Sequence, residues 1–208
     1  MLKHFSITTA LILTVSAFVS ADDKPIAAAP EETAPLKVGE MVPELKLKSA
    51  TGNEVSLASL HEKQPVVLVF FRGEWCPICS RHTAELIKAY PEIKELGAEM
   101  VGISPDSVES SQANVEKNKI GFSILSDADV SAAKAFGLAF KVDDATVTKY
   151  KGFGIDLEKA SGQPHHALPI PAVYIVDKTG TIVFAHSNPD YRQRLDARTI
   201  VEELKKVK

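Results

Sequence analysis

The stretch that most constrains this chain is PVVLVFFRGEWCPIC, residues 65–79. Residues 65–71 are a continuous apolar run of strand length, the pattern of a strand covered on both faces. Directly after it come both cysteines of the 208-residue chain, Cys76 and Cys79, two residues apart. Pro77 suits the first position of a helix, which places Cys76 at a helix N-terminus. The apolar stripe Cys79, Thr83, Leu86, Tyr90 and Ile93, at steps of 4, 3, 4 and 3, predicts that helix. Pro91 within it predicts a kink, and His82 reads as a flank of the stripe.

The rest of the chain alternates strand and helix patterns. ELKLKSATGNEVSL (44–57) alternates around Thr51-Gly52-Asn53 and predicts a hairpin. AEMVGIS (98–104) predicts a second core strand, and Pro105-Asp106-Ser107 opens a polar helix. FSILS (122–126) predicts a short strand, and Asp127 caps a helix over 129–136 that Gly137 ends. Residues 138–168 show no clear period and read as an irregular insertion. AVYIVD, a Lys178-Thr179-Gly180 turn and TIVFAHS predict a strand pair. Asp196 caps a last helix carrying Ile200, Leu204 and Val207. This order predicts an α/β fold, a central mixed sheet flanked by helices, with parallel strands at its core.

At the N-terminus, Lys3 and His4 precede an apolar stretch to Val19, and Val19-Ser20-Ala21 supplies small residues at a cleavage position. This layout predicts a secretory signal peptide over 1–21. The expected destination is export, into a bacterial periplasm, an oxidising compartment, with no membrane attachment after cleavage. Residues 22–37, rich in Ala, Pro and acid, read as a disordered linker, and residues 38–208 as one domain. The formal charge of −3 and the lack of a basic cluster exclude nucleic acid as an expected partner.

Three chemistries use two thiols at this spacing. A structural disulfide closing a loop of about four residues would contribute only about 2 kcal/mol. A structural zinc site of four cysteines is excluded by the cysteine count. A copper or zinc carrier would need His165 or His166 beside the pair. Redox chemistry fits best. Unsatisfied N–H groups and the helix dipole stabilise a thiolate at Cys76, and Cys79, one turn on, is within reach to close a disulfide. No cofactor and no metal are expected.

FFRGEWCPIC resembles the site of the thioredoxin superfamily, and PIPAVYIVDKTG (169–180) resembles its second landmark, a proline before a strand. That resemblance implies a thioredoxin-like fold and a cis Ile170–Pro171 bond facing the cysteines. The RG-x-WCP-x-C form, FSILSDADVSAAKAFGL and NPDYRQRLDARTIVEEL further resemble a peroxiredoxin-like group, the alkyl hydroperoxide reductase/thiol-specific antioxidant family. The resemblance spans about residues 38–207. It implies a peroxidase that reduces hydrogen peroxide and organic hydroperoxides. Cys76 becomes a sulfenic acid, Cys79 condenses with it, and a dithiol protein of thioredoxin type reduces the disulfide. Arg194, placed better than Arg192 before the final helix, is implied to point at the reactive thiolate, lower its pKa and bind the peroxide. Trp75, Pro171 and Arg72 are the expected substrate-binding residues. The sequence departs from the family pattern Pro-x-x-x-Thr/Ser-x-x-Cys at Val69 and Gly73. The orienting hydroxyl is therefore absent, which leaves Arg72, Arg194 and backbone N–H groups to replace it. The alternative activity is thiol–disulfide exchange by an exported thioredoxin-like oxidoreductase.

Overall fold

A computed structural model describes residues 24–207. The expected signal peptide lies outside the described residues. Among them, no helix is long and apolar enough to cross a membrane.

Seven strands form one sheet: β1 (Lys46–Ser49), β2 (Glu54–Ser56), β3 (Val66–Phe70), β4 (Glu99–Ser104), β5 (Ser123–Ser126), β8 (Ala172–Val176) and β9 (Ile182–Ser187). Their spatial order is β2-β1-β5-β4-β3-β8-β9. The β5-β4-β3 core is parallel, and β1, β2, β8 and β9 pair antiparallel. β3 sits between β4 and β8 with every residue buried, as its unbroken apolar run requires.

Alternation along β3 feeds two cores. Val67, Val69 and Phe71 pack under helices α2 (Pro77–Glu95) and α7 (Ala197–Leu204), against Leu86, Ile93, Ile200 and Leu204. Val66, Leu68 and Phe70 face the other way, toward Leu57 on the short helix α1 (Leu57–His61), Phe136 and Tyr174. α2 runs through Pro91 as a single element of 19 residues. Its buried stripe includes His82, only 5% exposed, which the spacing had put on the flank.

The 138–168 segment is more regular than its sequence suggests. Helices α3 (Val108–Asn118) and α4 (Ser131–Ala135) precede it. It then holds β6 (Ala139–Lys141), α5 (Asp144–Gly152), α6 (Leu157–Ser161) and β7 (Ala167–Pro169), with β6 and β7 paired antiparallel in a second sheet. The elements are too short for periodicity to register, and Asp143 and Asp156 cap the two helices through Thr146 N–H and Lys159 N–H.

Residues 24–37, expected to be a disordered linker, are laid on this body. Ala27 exchanges backbone hydrogen bonds with Ala139 and Lys141 at 3.0 and 2.8 Å, and Ala34 and Leu36 donate to Gly137 and Phe136 at 3.0 Å each. Leu36 is buried in the core around Phe136. Gly137, at φ +69°, permits the contact, because a Cβ there would strike the Ala34 carbonyl. Composition gave no hint of this, since the pairing is between backbones.

The structure also corrects the isomer expected before β8. Among the described residues no peptide bond is cis, so Ile170–Pro171 is trans. Ile170 leads from β7 into β8 with its N–H bonded to the Leu138 carbonyl at 2.9 Å. No tight turn demands the rarer isomer.

Candidate active site

Cys76 is the N-cap of α2, and Pro77 takes the first helical position. The Cys79 backbone N–H donates to the Cys76 sulfur at 3.4 Å. Both cysteines are free and only 2% exposed. The Cys76 thiol is lowered to about 6. Hydrogen bonding from the Cys79 side chain is the largest cause, aided by the Cys79 N–H and the charges of Arg72 and Arg194, and opposed by burial. Cys79 is pushed well up by its bond to Cys76, by burial and by the Cys76 charge. The pair therefore holds one negative charge, seated on Cys76.

Arg194 reaches this pair, but its Nη2 donates to the sulfur of Cys79, at 3.3 Å. The resemblance had implied the attacking sulfur. Arg192 pairs with Asp190 at the surface, at 2.9 Å. The segment carrying Arg194 is held by His82, whose Nε2–H donates to the Leu195 carbonyl at 3.0 Å. Burial, then the Arg194 charge, hold His82 down to about 4, so it is neutral and adds no like charge. Pro171 lines the same small cavity as Arg194, His82 and His186.

Arg72, 4% exposed, sits in an aromatic box. Its guanidinium carbon lies 4.1 Å from the Tyr191 ring centre, 5.2 Å from Trp75 and 5.6 Å from Tyr150. It also donates to the Tyr150 hydroxyl. Ring quadrupoles stabilise the cation without neutralising it. Among the described residues neither Arg72 nor Arg194 pairs with a carboxylate, so both keep their full charge for the sulfurs.

The loop from β3 to Cys76 is fixed from β4. The buried Asp106 carboxylate accepts from the Glu74 N–H at 2.9 Å and the Ser104 hydroxyl at 3.1 Å through Oδ2, while Oδ1 has no partner among the described residues. Burial raises Asp106 to about 7. Glu74, whose charge would oppose the thiolate, turns to Lys117 at 3.3 Å. Gly73 stands at φ +135°, and a Cβ there would lie 2.6 Å from Asp106 Oδ1 and 2.9 Å from Trp75 Cδ1. The missing hydroxyl is thus a consequence of the backbone. A threonine cannot occupy this left-handed position between an indole and a carboxylate.

His165 and His166 are engaged elsewhere. His165 Nδ1 accepts from the Ala167 N–H at 2.9 Å, so its Nε2–H donates to the Ala128 carbonyl at 2.7 Å. His166 bonds Glu158 at 2.7 Å. Among the described residues no cluster of three or more His, Cys, Asp or Glu side chains is placed to hold a metal.

Sequence reading missed Tyr150, Tyr191, His82 and Asp106. Tyr150 lay in the segment without a period. Asp106 was within reach of inference, because the carboxyl ends of neighbouring parallel strands converge. Phe70 and Ile103 are in register, so residues 72–76 and 104–106 must meet.

Comparison with known proteins places this site in a family. Residues 38–185 match the model of the AhpC/TSA family. The chain is 31% identical over 150 residues to chloroplastic peroxiredoxin Q of Sedum lineare, covering 72% of this chain and 68% of that protein. It is 29% identical to the Triticum aestivum protein of that name, covering 72% of this chain but 58% of the relative. Among solved structures, peroxidoxin BcpB from Mycobacterium tuberculosis superposes with a TM-score of 0.65 at 21% identity, over 83% of this chain and 99% of that one. Peroxiredoxin Q of Xanthomonas campestris gives 0.61 at 20%, over 77% and 89%. The chain belongs to the AhpC/TSA family and carries its site on the thioredoxin-like fold of the peroxiredoxins.

Proposed function

We propose that this chain is a thiol-dependent peroxidase, an oxidoreductase that reduces hydrogen peroxide and organic hydroperoxides. The observation that carries the reading is a buried cysteine with a low pKa at a helix N-terminus, flanked by two guanidinium groups without carboxylate partners. The Cys76 thiolate attacks one oxygen of the peroxide. The O–O bond breaks, the sulfur keeps the attacked oxygen as a sulfenic acid, and the other oxygen leaves as an alcohol or water after taking a proton. Arg72 and the N–H groups of the first turn of α2 stabilise the charge that develops on oxygen. Trp75 and Pro171 complete the walls. Cys79 then condenses with the sulfenic acid to give the disulfide, and an external dithiol of thioredoxin type returns both thiols by exchange. Exchange with protein disulfides is the weaker reading, because a cysteine only 2% exposed admits a small peroxide more readily than a folded partner. The N-terminal sequence supports export to the periplasm as the setting.

The deciding experiment follows Trp75 fluorescence of the reduced protein in stopped flow. Rapid, peroxide-dependent change, with a Cys76 sulfenate trapped by dimedone in Cys79→Ser, supports peroxidase action. Slow reaction with peroxide together with rapid reduction of protein disulfides would overturn it.

A further inference from the structure

We propose that Arg194 serves the resolving sulfur: its guanidinium stabilises Cys79 as a thiolate once Cys76 has become a sulfenic acid. The inference rests on the peroxidase reading above and assigns its second step to a named residue.

The geometry separates two roles. Cys76 receives the Cys79 backbone N–H at 3.4 Å, whereas Arg194 Nη2 is spent on Cys79, at 3.3 Å. Arg194 Nε, also buried, has no partner among the described residues. The chain that follows it is pinned. His82 Nε2–H holds the Leu195 carbonyl at 3.0 Å, and Asp196 caps α7 through the Arg198 N–H at 2.7 Å. The backbone N–H of Arg72 also favours the Cys79 thiolate. Cys79 therefore sits in a built cradle of donors, although in the reduced pair it is the protonated partner.

The cradle has a purpose only after the first step. In the reduced state the hydrogen bond to Cys76, burial and the Cys76 charge keep Cys79 protonated. When Cys76 attacks the peroxide, its negative charge leaves with the departing oxygen, which is then protonated. The sulfenic acid is neutral and no longer opposes ionisation next door, while Arg194 remains. The Cys79 thiolate then attacks the Cys76 sulfur. The S–S bond forms, the S–O bond breaks, and the departing hydroxide takes up the proton that Cys79 released. The sum is one peroxide and two thiols giving one alcohol or water, one further water and a disulfide. Oxidation of the first sulfur thus releases the second.

The groups that bear on Cys79 ionisation are Cys76 and His82 on α2, Arg72 after β3, and Arg194 before α7. Asp106 after β4 acts through Cys76, and His186 on β9 faces the cavity of His82 and Arg194. The test reads the two steps apart. Mixing reduced protein with hydrogen peroxide gives a peroxide-dependent rate for sulfenate formation and a peroxide-independent rate for disulfide formation, both followed by quenched intact-mass time courses. Arg194→Gln is expected to slow disulfide formation about tenfold and sulfenate formation less than about threefold. Arg194→Lys, which retains the charge, is expected to recover part of the loss. A second readout needs no peroxide. In a Cys76→Ser background, where no neighbouring thiolate exists, the pH profile of Cys79 alkylation by iodoacetamide should move to higher pH on Arg194→Gln. The proposal is overturned if Arg194→Gln slows sulfenate formation and leaves disulfide formation intact, or if the alkylation profile does not move. Wild-type protein that forms no sulfenate with peroxide overturns instead the peroxidase reading beneath it, a result the alkylation profile does not depend on.

Discussion

Gly73 and Asp106 share a space that holds only one of two things: a side chain on residue 73 or the Oδ1 atom of Asp106, which lies 2.6 Å from where a Cβ would stand. The same hypothetical Cβ would lie 2.9 Å from Cδ1 of Trp75. This relationship explains the absence, three residues before Cys76, of the hydroxyl that the family resemblance implies. The loop takes a left-handed turn at Gly73, and the segment after β4 supplies a carboxylate that anchors the Glu74 N–H.

Gly73→Thr is therefore expected to damage the site and restore nothing. The left-handed backbone costs a threonine about 1–3 kcal/mol, and the clash with Trp75 and Asp106 adds to it. Urea unfolding should show the loss, and sulfenate formation should slow. A stable, faster variant would refute this account of the loop.

The low pKa of Cys76 predicts a pH profile. Absorbance of the thiolate near 240 nm, or the alkylation rate, should titrate with a midpoint at about pH 6. Because the Cys79 side chain is the largest cause, Cys79→Ala should raise that midpoint by about one pH unit or more, and Arg72→Gln should raise it less. For stability the sign is fixed by linkage. The folded pKa lies below the ordinary thiol value, so the Cys76 contribution is present above that ordinary value and is lost as pH falls toward 6. Cys79, raised in the folded state, acts in the opposite sense, and its contribution declines above the ordinary thiol range.

Asp106 makes a prediction of opposite slope to Cys76. Its carboxyl is raised to about 7 by burial, so the folded state holds a proton that the unfolded chain releases near pH 4. Stability from this group is full below pH 4 and declines between pH 4 and 7. Asp127, buried beneath α4 with the Ala132 and Ala133 N–H groups on its carboxylate at 2.8 Å each, shares that behaviour. Asp106→Asn should flatten the decline, as measured by urea unfolding at pH 4, 5.5 and 7. An unchanged slope would show that Asp106 is ionised when buried.

Tyr150 carries the hydroxyl that receives Arg72. Tyr150→Phe keeps the ring and removes the acceptor, leaving a buried guanidinium N–H unpaired. The expected cost is about 1–3 kcal/mol, with a several-fold slower reaction with peroxide as Arg72 loosens. Arg72→Lys should not substitute, since a compact ammonium lacks the flat face that stacks on Tyr191.

The N-terminal segment makes the simplest prediction. Leu36→Ala removes a buried side chain from the core around Phe136 and should cost about 2–3 kcal/mol. A freely moving linker would show no change.

Whatever rests on local period and on neighbours along the chain was legible before any fold was known. The unbroken apolar run 65–71 required a strand covered on both faces, and the β3 position between β4 and β8 supplies that cover. Pro77 and the stripe from Cys79 to Ile93 required a helix that begins at Cys76, and with it the thiolate and its partner one turn on. Tertiary structure alone decided which groups meet that pair from elsewhere. Arg194, 115 residues beyond Cys79, lands on Cys79 and not Cys76. Tyr150, 78 residues beyond Arg72, closes the box around its guanidinium. Ala27 pairs with β6, and Ala34 and Leu36 bond to the turn before it. Each of these depends on backbone hydrogen bonds and on crossings between elements distant in sequence, and such contacts leave no periodic trace in the order of residues. Fifteen residues were enough to place the two sulfurs one turn apart at a helix N-terminus, while the arginine that reaches Cys79 required the whole fold.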